Sequence, residues 1–130
     1  MLLDANPLIG IDRIRFGMER SKVRAIWGDA VEFKKTPVSE TTTDDFGFCH
    51  VYYDENDECE AIEVFSESEV YVDGKKIFPI DLKKALETFL FLSEDEDGAI
   101  SAEKSVGICA PEGKMESILF GKDGYYDFLL

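Results

Sequence analysis

The sequence predicts an α+β fold: a single antiparallel sheet with two helices packed on one face, built from two strand–helix–hairpin pseudo-repeats (about 10–65 and about 70–130) within one domain, 1–130. Three observations predict it. First, Gly10 to Gly28 starts extended through Ile11, Ile14 and Phe16, turns at Gly17, and then spaces Val23, Ile26 and Trp27 on one helix face before Gly28 supplies a C-terminal stop. Second, Val70 to Phe78 holds Asp73-Gly74 between β-forming residues, the chemistry of a type I′ hairpin turn. Third, the first device has a second copy. Phe16-Gly17-Met18-Glu19 lies over Phe78-Pro79-Ile80-Asp81, with Lys22 over Lys84 and Trp27 over Phe89, and Glu60-Ala61-Ile62 resembles Glu116-Ser117-Ile118 downstream. Neither half could bury its helix and one sheet face alone, so the two share a core.

The remaining elements follow in order. Residues 1–9 are a lead-in that pairs weakly at a sheet edge or stays loose, because Pro7 opposes a helix. Asp29 to Asp45 is polar and reads as a long loop with a short strand around Val31 to Lys34. Phe46 to Phe65 reads as a hairpin turning near Asn56 and Asp57. Pro79 to Leu92 is the strongest helix: Leu82, Ala85, Leu86, Phe89 and Leu90 form its apolar stripe, and Asp81 is its N-cap. The acidic run Ser93 to Gly98 reads as a solvated loop. Ser105 to Phe120 forms a hairpin turning at Pro111-Glu112-Gly113, and Asp123-Gly124 turns into a last strand, Tyr125 to Leu130.

Charge bounds the function more than any motif does. With 28 acidic and 14 basic residues the chain carries −14 at pH 7. A surface of that sign repels nucleic-acid phosphates and anionic lipid, so neither nucleic acid nor membrane is expected as a partner. It attracts a basic protein face and speeds that encounter at low salt. Cys49, Cys59 and Cys109 are odd in number and lack metal-ligand spacing, as in a reducing cytoplasm where cysteine serves as a small apolar residue. The N-terminus has neither a basic region nor a long apolar core, so no signal peptide is expected and a cytosolic location is.

No cluster of residues names a reaction, so no catalytic residue, cofactor or metal is expected. Asp54, Asn56 and Glu58 alternate like calcium ligands, but Cys59 stands where such a loop needs glycine and Phe65 where it needs glutamate. His50 is the only histidine, and adjacent Cys49 points to the other side of a strand. What remains is a dense aromatic set beside carboxylates, suited to a partner with basic residues. The expected partner-binding residues are Tyr52, Tyr53, Asp54, Glu55, Asp57 and Glu58, at and beside the tip of the Phe46–Phe65 hairpin.

Gly17-Met18-Glu19 followed by Val23 to Gly28 resembles the opening motif of the tandem α/β repeat found in beta-lactamase inhibitor proteins and small outer-membrane assembly lipoproteins. The small, acidic character is similar to that of bacterial immunity proteins. These resemblances imply a protein that occludes a basic partner, such as a toxin, without chemistry of its own, and they assign no binding residue. The alternative expectation is a structural domain that pairs with its own copy, as a homodimer, through a sheet edge or face.

Overall fold

In the computed structural model, which describes residues 1–129, the N-terminal lead-in is the middle of a sheet. Strand β1 (Leu2–Asn6) buries Leu3 and Ala5 and exposes Leu2, Asp4 and Asn6, the period of two that a half-buried strand requires. It pairs antiparallel with β2 (Gly10–Ile11), which turns back into β3 (Ile14–Arg15). Helix α1 (Arg20–Trp27) follows, buries Val23, and ends at Gly28 (φ 93°), whose N–H donates to the Arg24 carbonyl at 2.8 Å. Trp27 packs edge-on against Phe46 and Phe48, at 5.7 and 5.0 Å between ring centres. Ile26 and Trp27 are partly buried against the core, as their spacing predicts.

Four antiparallel strands come next: β4 (Val31–Phe33), β5 (Thr43–Asp45), β6 (Cys49–Tyr53) and β7 (Cys59–Phe65). The predicted short strand is therefore present as β4, and the long loop also contains β5, where Thr43 and Asp44 are buried. The hairpin of β8 (Glu69–Val72) and β9 (Lys75–Phe78) turns at Asp73 and Gly74, both with positive φ (51° and 78°), as the type I′ chemistry predicts.

Helix α2 (Leu82–Thr88) is capped by Asp81, whose carboxylate accepts the Lys83 N–H at 2.9 Å. It is shorter than predicted. The chain leaves helical geometry at Phe89 (φ −108°, ψ 92°), so Leu90 no longer follows the apolar stripe and is 88% exposed. The acidic run is not a loop: β10 (Ser93–Asp95) pairs with β11 (Gly98–Ser101). As an edge strand it tolerates carboxylates on both sides and is shielded by them from unwanted pairing. Strands β12 (Val106–Cys109) and β13 (Ser117–Gly121) form the predicted hairpin around Pro111–Gly113. The predicted last strand is absent over its described part. Tyr125 and Asp127 donate backbone N–H bonds to Lys122 and Gly124 (3.0 and 3.1 Å), closing tight turns that lead into a 3₁₀ turn, Asp127–Leu129. Leu130 lies outside the described residues.

The strands form two sheets, where one was predicted. The smaller has the order β3-β2-β1-β8-β9 and contains a parallel pair, β1 with β8, in register Leu3 with Val70. The larger is wholly antiparallel, in the order β10-β11-β12-β13-β7-β6-β5-β4. A single twisted sheet rarely grows beyond about ten strands without splitting, and splitting lets both sheets close on one core. That core joins Leu3, Ile11, Val70 and Phe78 of the small sheet to Val51, Ile62, Ile118 and Phe120 of the large one, with Val23 and Ala85 from the helices. The order of elements recurs: β2–β3, α1 and β4–β7, then β8–β9, α2 and β10–β13.

The register of the large sheet also defines its other face. Val31, Asp45, His50, Glu63, Leu119, Gly107, Ile100 and Ser93 are successive partners across the strands and so point to the same side, away from the core. The buried residues of α1 and α2 belong to the core on the other side of the sheet.

Candidate partner-binding face

The residues expected to meet a partner are mostly occupied within the protein. Tyr53 is 2% exposed; its hydroxyl donates to Asp44 Oδ2 at 2.9 Å, and the Arg20 guanidinium lies over its ring at 4.1 Å. Tyr52 is 8% exposed and points the opposite way, with its hydroxyl on Glu63 Oε1 at 2.5 Å and Lys35 Nζ over its ring at 4.5 Å. Both rings are buried and engaged within the protein. Asp54 Oδ1 accepts the N–H groups of Asn56 and Glu58 (2.9 and 3.0 Å) and fixes the turn. Asp57 accepts from Arg20 Nε at 2.8 Å, and the Glu58 backbone bridges that of Glu19. Of the six, Glu55 is exposed without a hydrogen bond or ion pair to another described residue.

The arginines explain where the tip's charge goes. Arg20 and Arg24 stand one helical turn apart on α1 and so reach the same carboxylate. Arg24 grips Asp44 with Nε on Oδ2 (2.8 Å) and Nη2 on Oδ1 (2.6 Å), while Arg20 Nη1 adds a bond to Oδ1 at 3.1 Å. Glu32 extends the cluster, accepting from Thr42 at 2.7 Å and Arg24 at 2.9 Å. Burial by itself pushes the Asp44 carboxyl up. The Arg24 and Tyr53 hydrogen bonds and both arginine charges outweigh it and hold Asp44 below the usual carboxylate range. The Thr42 hydroxyl, followed by Arg24, lowers Glu32 as well. The group is internally satisfied: it fastens α1 to β4, β5 and β6 and offers no free charge outward from Asp44.

The outward face of the large sheet is different. Toward β4, Phe33, His50 and Phe65 form a ladder of edge-to-face rings with centres 5.1 and 4.7 Å apart. His50 is thus a packed side chain, 3.7 Å from the Asp45 carboxylate. Toward β10, two glycines open notches for the C-terminal segment. A Cβ on Gly121 would fall 2.6 Å from the Tyr125 ring, and one on Gly107 would fall 2.3 Å from the Tyr126 hydroxyl. The two tyrosines lie on the sheet through these notches, 5.2 Å apart and nearly perpendicular. Burial raises the Tyr126 phenol above its ordinary value, and the charges of Glu63 and Asp95 add to that rise.

Between Tyr126 and the β10–β11 hairpin lies an open cavity of about 360 Å³, with Glu63, Asp95, Ile100, Cys109, Leu119 and Tyr126 among its lining. Its outer wall includes the exposed carboxylates Asp95, Glu96 and Asp97, which form no ion pair with a described lysine or arginine. An apolar floor walled by uncompensated negative charge suits a cation carried on an apolar stem. In the sequence, Tyr125 and Tyr126 open the predicted last strand and the acidic run reads as a solvated loop, and nothing local brings the two to one face. Glu63 went unremarked, although its alternation with Ile62 and Val64 in β7 marks it as outward-facing. No protein-family model, curated protein or solved structure matches this chain.

Proposed function

We propose that this protein is a small acidic binding module that occludes a basic protein surface, in the manner of an immunity or inhibitor protein. The docking face is the outward side of the large sheet. One observation carries the reading: an apolar and aromatic sheet face, uncovered by either helix, is walled at its β10 edge by Asp95, Glu96 and Asp97, all exposed. Such a face combines contact area with a field that draws in a positively charged partner and repels like-charged ones. The net charge of −14 acts in the same direction at longer range. The mechanism is steric and electrostatic, and the partner would be a basic protein such as a toxin.

The test is capture from lysate of the cells that naturally produce the protein, with wild type and a variant carrying Asp95→Asn, Glu96→Gln and Asp97→Asn. Wild type is expected to retain a basic protein at low salt and release it as salt rises. The neutralised variant should bind that protein about tenfold more weakly. Equal capture by both proteins, or capture insensitive to salt, contradicts the reading.

A second reading, self-association, is favoured by the open edge of β4, where Val31 is 70% exposed beside the aromatic ladder. Sedimentation at rising concentration separates the two: a strict monomer removes self-association.

A further inference from the structure

Glu63 occupies an unusual position for a carboxylate. It lies in mid-sheet, half-buried, between His50 and Leu119 in the outward row. Each of its oxygens accepts one neutral hydroxyl: Oε1 from Tyr52 at 2.5 Å and Oε2 from Ser117 at 2.7 Å. An ionised carboxylate offers about four acceptor sites, so two donors leave it half-used. Among the described residues no lysine or arginine forms an ion pair with it. Lys35 lies over the Tyr52 ring at 4.5 Å, and Lys122 lies near Asp54 and Glu60, at 4.0 and 3.9 Å. Two fixed hydroxyls thus orient a carboxylate that has no ion-pair partner among the described lysines and arginines, and it lines the cavity together with Leu119, Ile100 and Tyr126.

Resting on the docking face proposed above, we infer that this cavity receives an arginine side chain of the partner, with its guanidinium on Glu63 and its stem against Leu119, Ile100 and Tyr126. Charge complementarity demands a cation, and the walls distinguish which one. A guanidinium is planar, sheds water more readily than an ammonium, and stacks on an aromatic ring while its edge bonds a carboxylate. Lysine brings a compact, strongly hydrated charge that gains less from the apolar walls. Asp95 at the mouth adds to the attraction without having to touch the guanidinium.

The probes are acetyl-Gly-Arg-Gly-amide and its lysine and citrulline counterparts, titrated into the whole protein and followed by nuclear magnetic resonance. The arginine peptide is expected to shift Gly107, Ile100 and Leu119 signals saturably, the lysine peptide several-fold more weakly, and the neutral citrulline peptide not at all. Glu63→Gln should lower arginine-peptide affinity about tenfold. Glu103→Gln, which removes one exposed charge elsewhere, should leave it unchanged and controls for net charge. Equal affinity for the arginine and lysine peptides, or unchanged binding by a folded Glu63→Gln variant, overturns the inference. If capture of a basic protein still depends on Asp95, Glu96 and Asp97, the docking face stands without its arginine pocket. If capture loses that dependence while the peptide result holds, the docking reading fails on its own terms.

Discussion

Replacing Asp44 with alanine is expected to cost about 3–5 kcal/mol of folding stability, a large share of what a domain of this size possesses. The side chain is fully buried and accepts from Arg24 twice, Arg20 once and the Tyr53 hydroxyl once. Truncation leaves Arg20, only 11% exposed, facing a void with its charge only partly met by Asp57. Chemical denaturation should show the midpoint falling with little change in slope. Asp44→Asn keeps the shape but presents an amide N–H to the arginines, so it too should destabilise.

The pH dependence of the two proteins should differ in a defined window. The folded-state pKa of Asp44 lies below its ordinary value, so the unfolded chain takes up the proton first as pH falls. Its contribution is therefore complete above the unfolded pKa, about 3.9, and is lost as pH drops through the lower folded value. Wild type should lose stability more steeply than Asp44→Asn below about pH 4. Parallel loss in the two proteins would mean that Asp44 does not anchor the fold in the way its contacts imply.

Gly10→Ala is the second large effect. A Cβ there would fall 1.9 Å from the Ile14 carbonyl oxygen, 2.9 Å from the Ile14 carbonyl carbon and 3.0 Å from the Arg15 Cα. Every one of these atoms is backbone, so no rotamer change relieves the clash. The β2–β3 hairpin must open instead, at a cost of about 3 kcal/mol. Gly17→Ala is the internal comparison. Its φ is 92°, but a Cβ meets nothing within 4 Å, so the penalty is backbone strain of about 1–2 kcal/mol. Thermal unfolding of both variants should rank Gly10→Ala below Gly17→Ala; the reverse order would contradict the close packing of β2 on β3.

These two glycines show which features a single sequence exposes. Gly17 and Gly28 are legible because each punctuates a local change from strand to helix or from helix to loop, and Asp73-Gly74 is legible for the same reason. Gly10 looks like one more turn residue until Ile14 is placed against it. The missed strands share this origin. Leu2–Asn6, Thr43–Asp45 and Ser93–Asp95 are short, and their conformation is decided by their partners. For β1 the partner is distant: Leu3 pairs with Val70. The candidate site suffers most, because period-two alternation says which residues share a side but leaves open which side is buried. Tyr52 and Tyr53 were therefore recognisable as aromatic neighbours of carboxylates, while their burial on opposite sides of β6 depended on the register with Thr43 and Ala61. Leu90 erred in the other direction, since its stripe position held only while the helix continued.

The claim that the outward sheet face carries binding is tested most directly by placing a like charge at its centre. Leu119→Arg puts a cation among Glu63, Ile100 and Tyr126, where the partner's own positive charge is expected. Leu90→Arg puts the same cation at an exposed position just beyond α2. Affinity for the captured basic protein should fall at least about tenfold for Leu119→Arg and remain unchanged for Leu90→Arg, with both variants folded. Undiminished binding by Leu119→Arg, or a loss confined to Leu90→Arg, would contradict the assignment of the docking face.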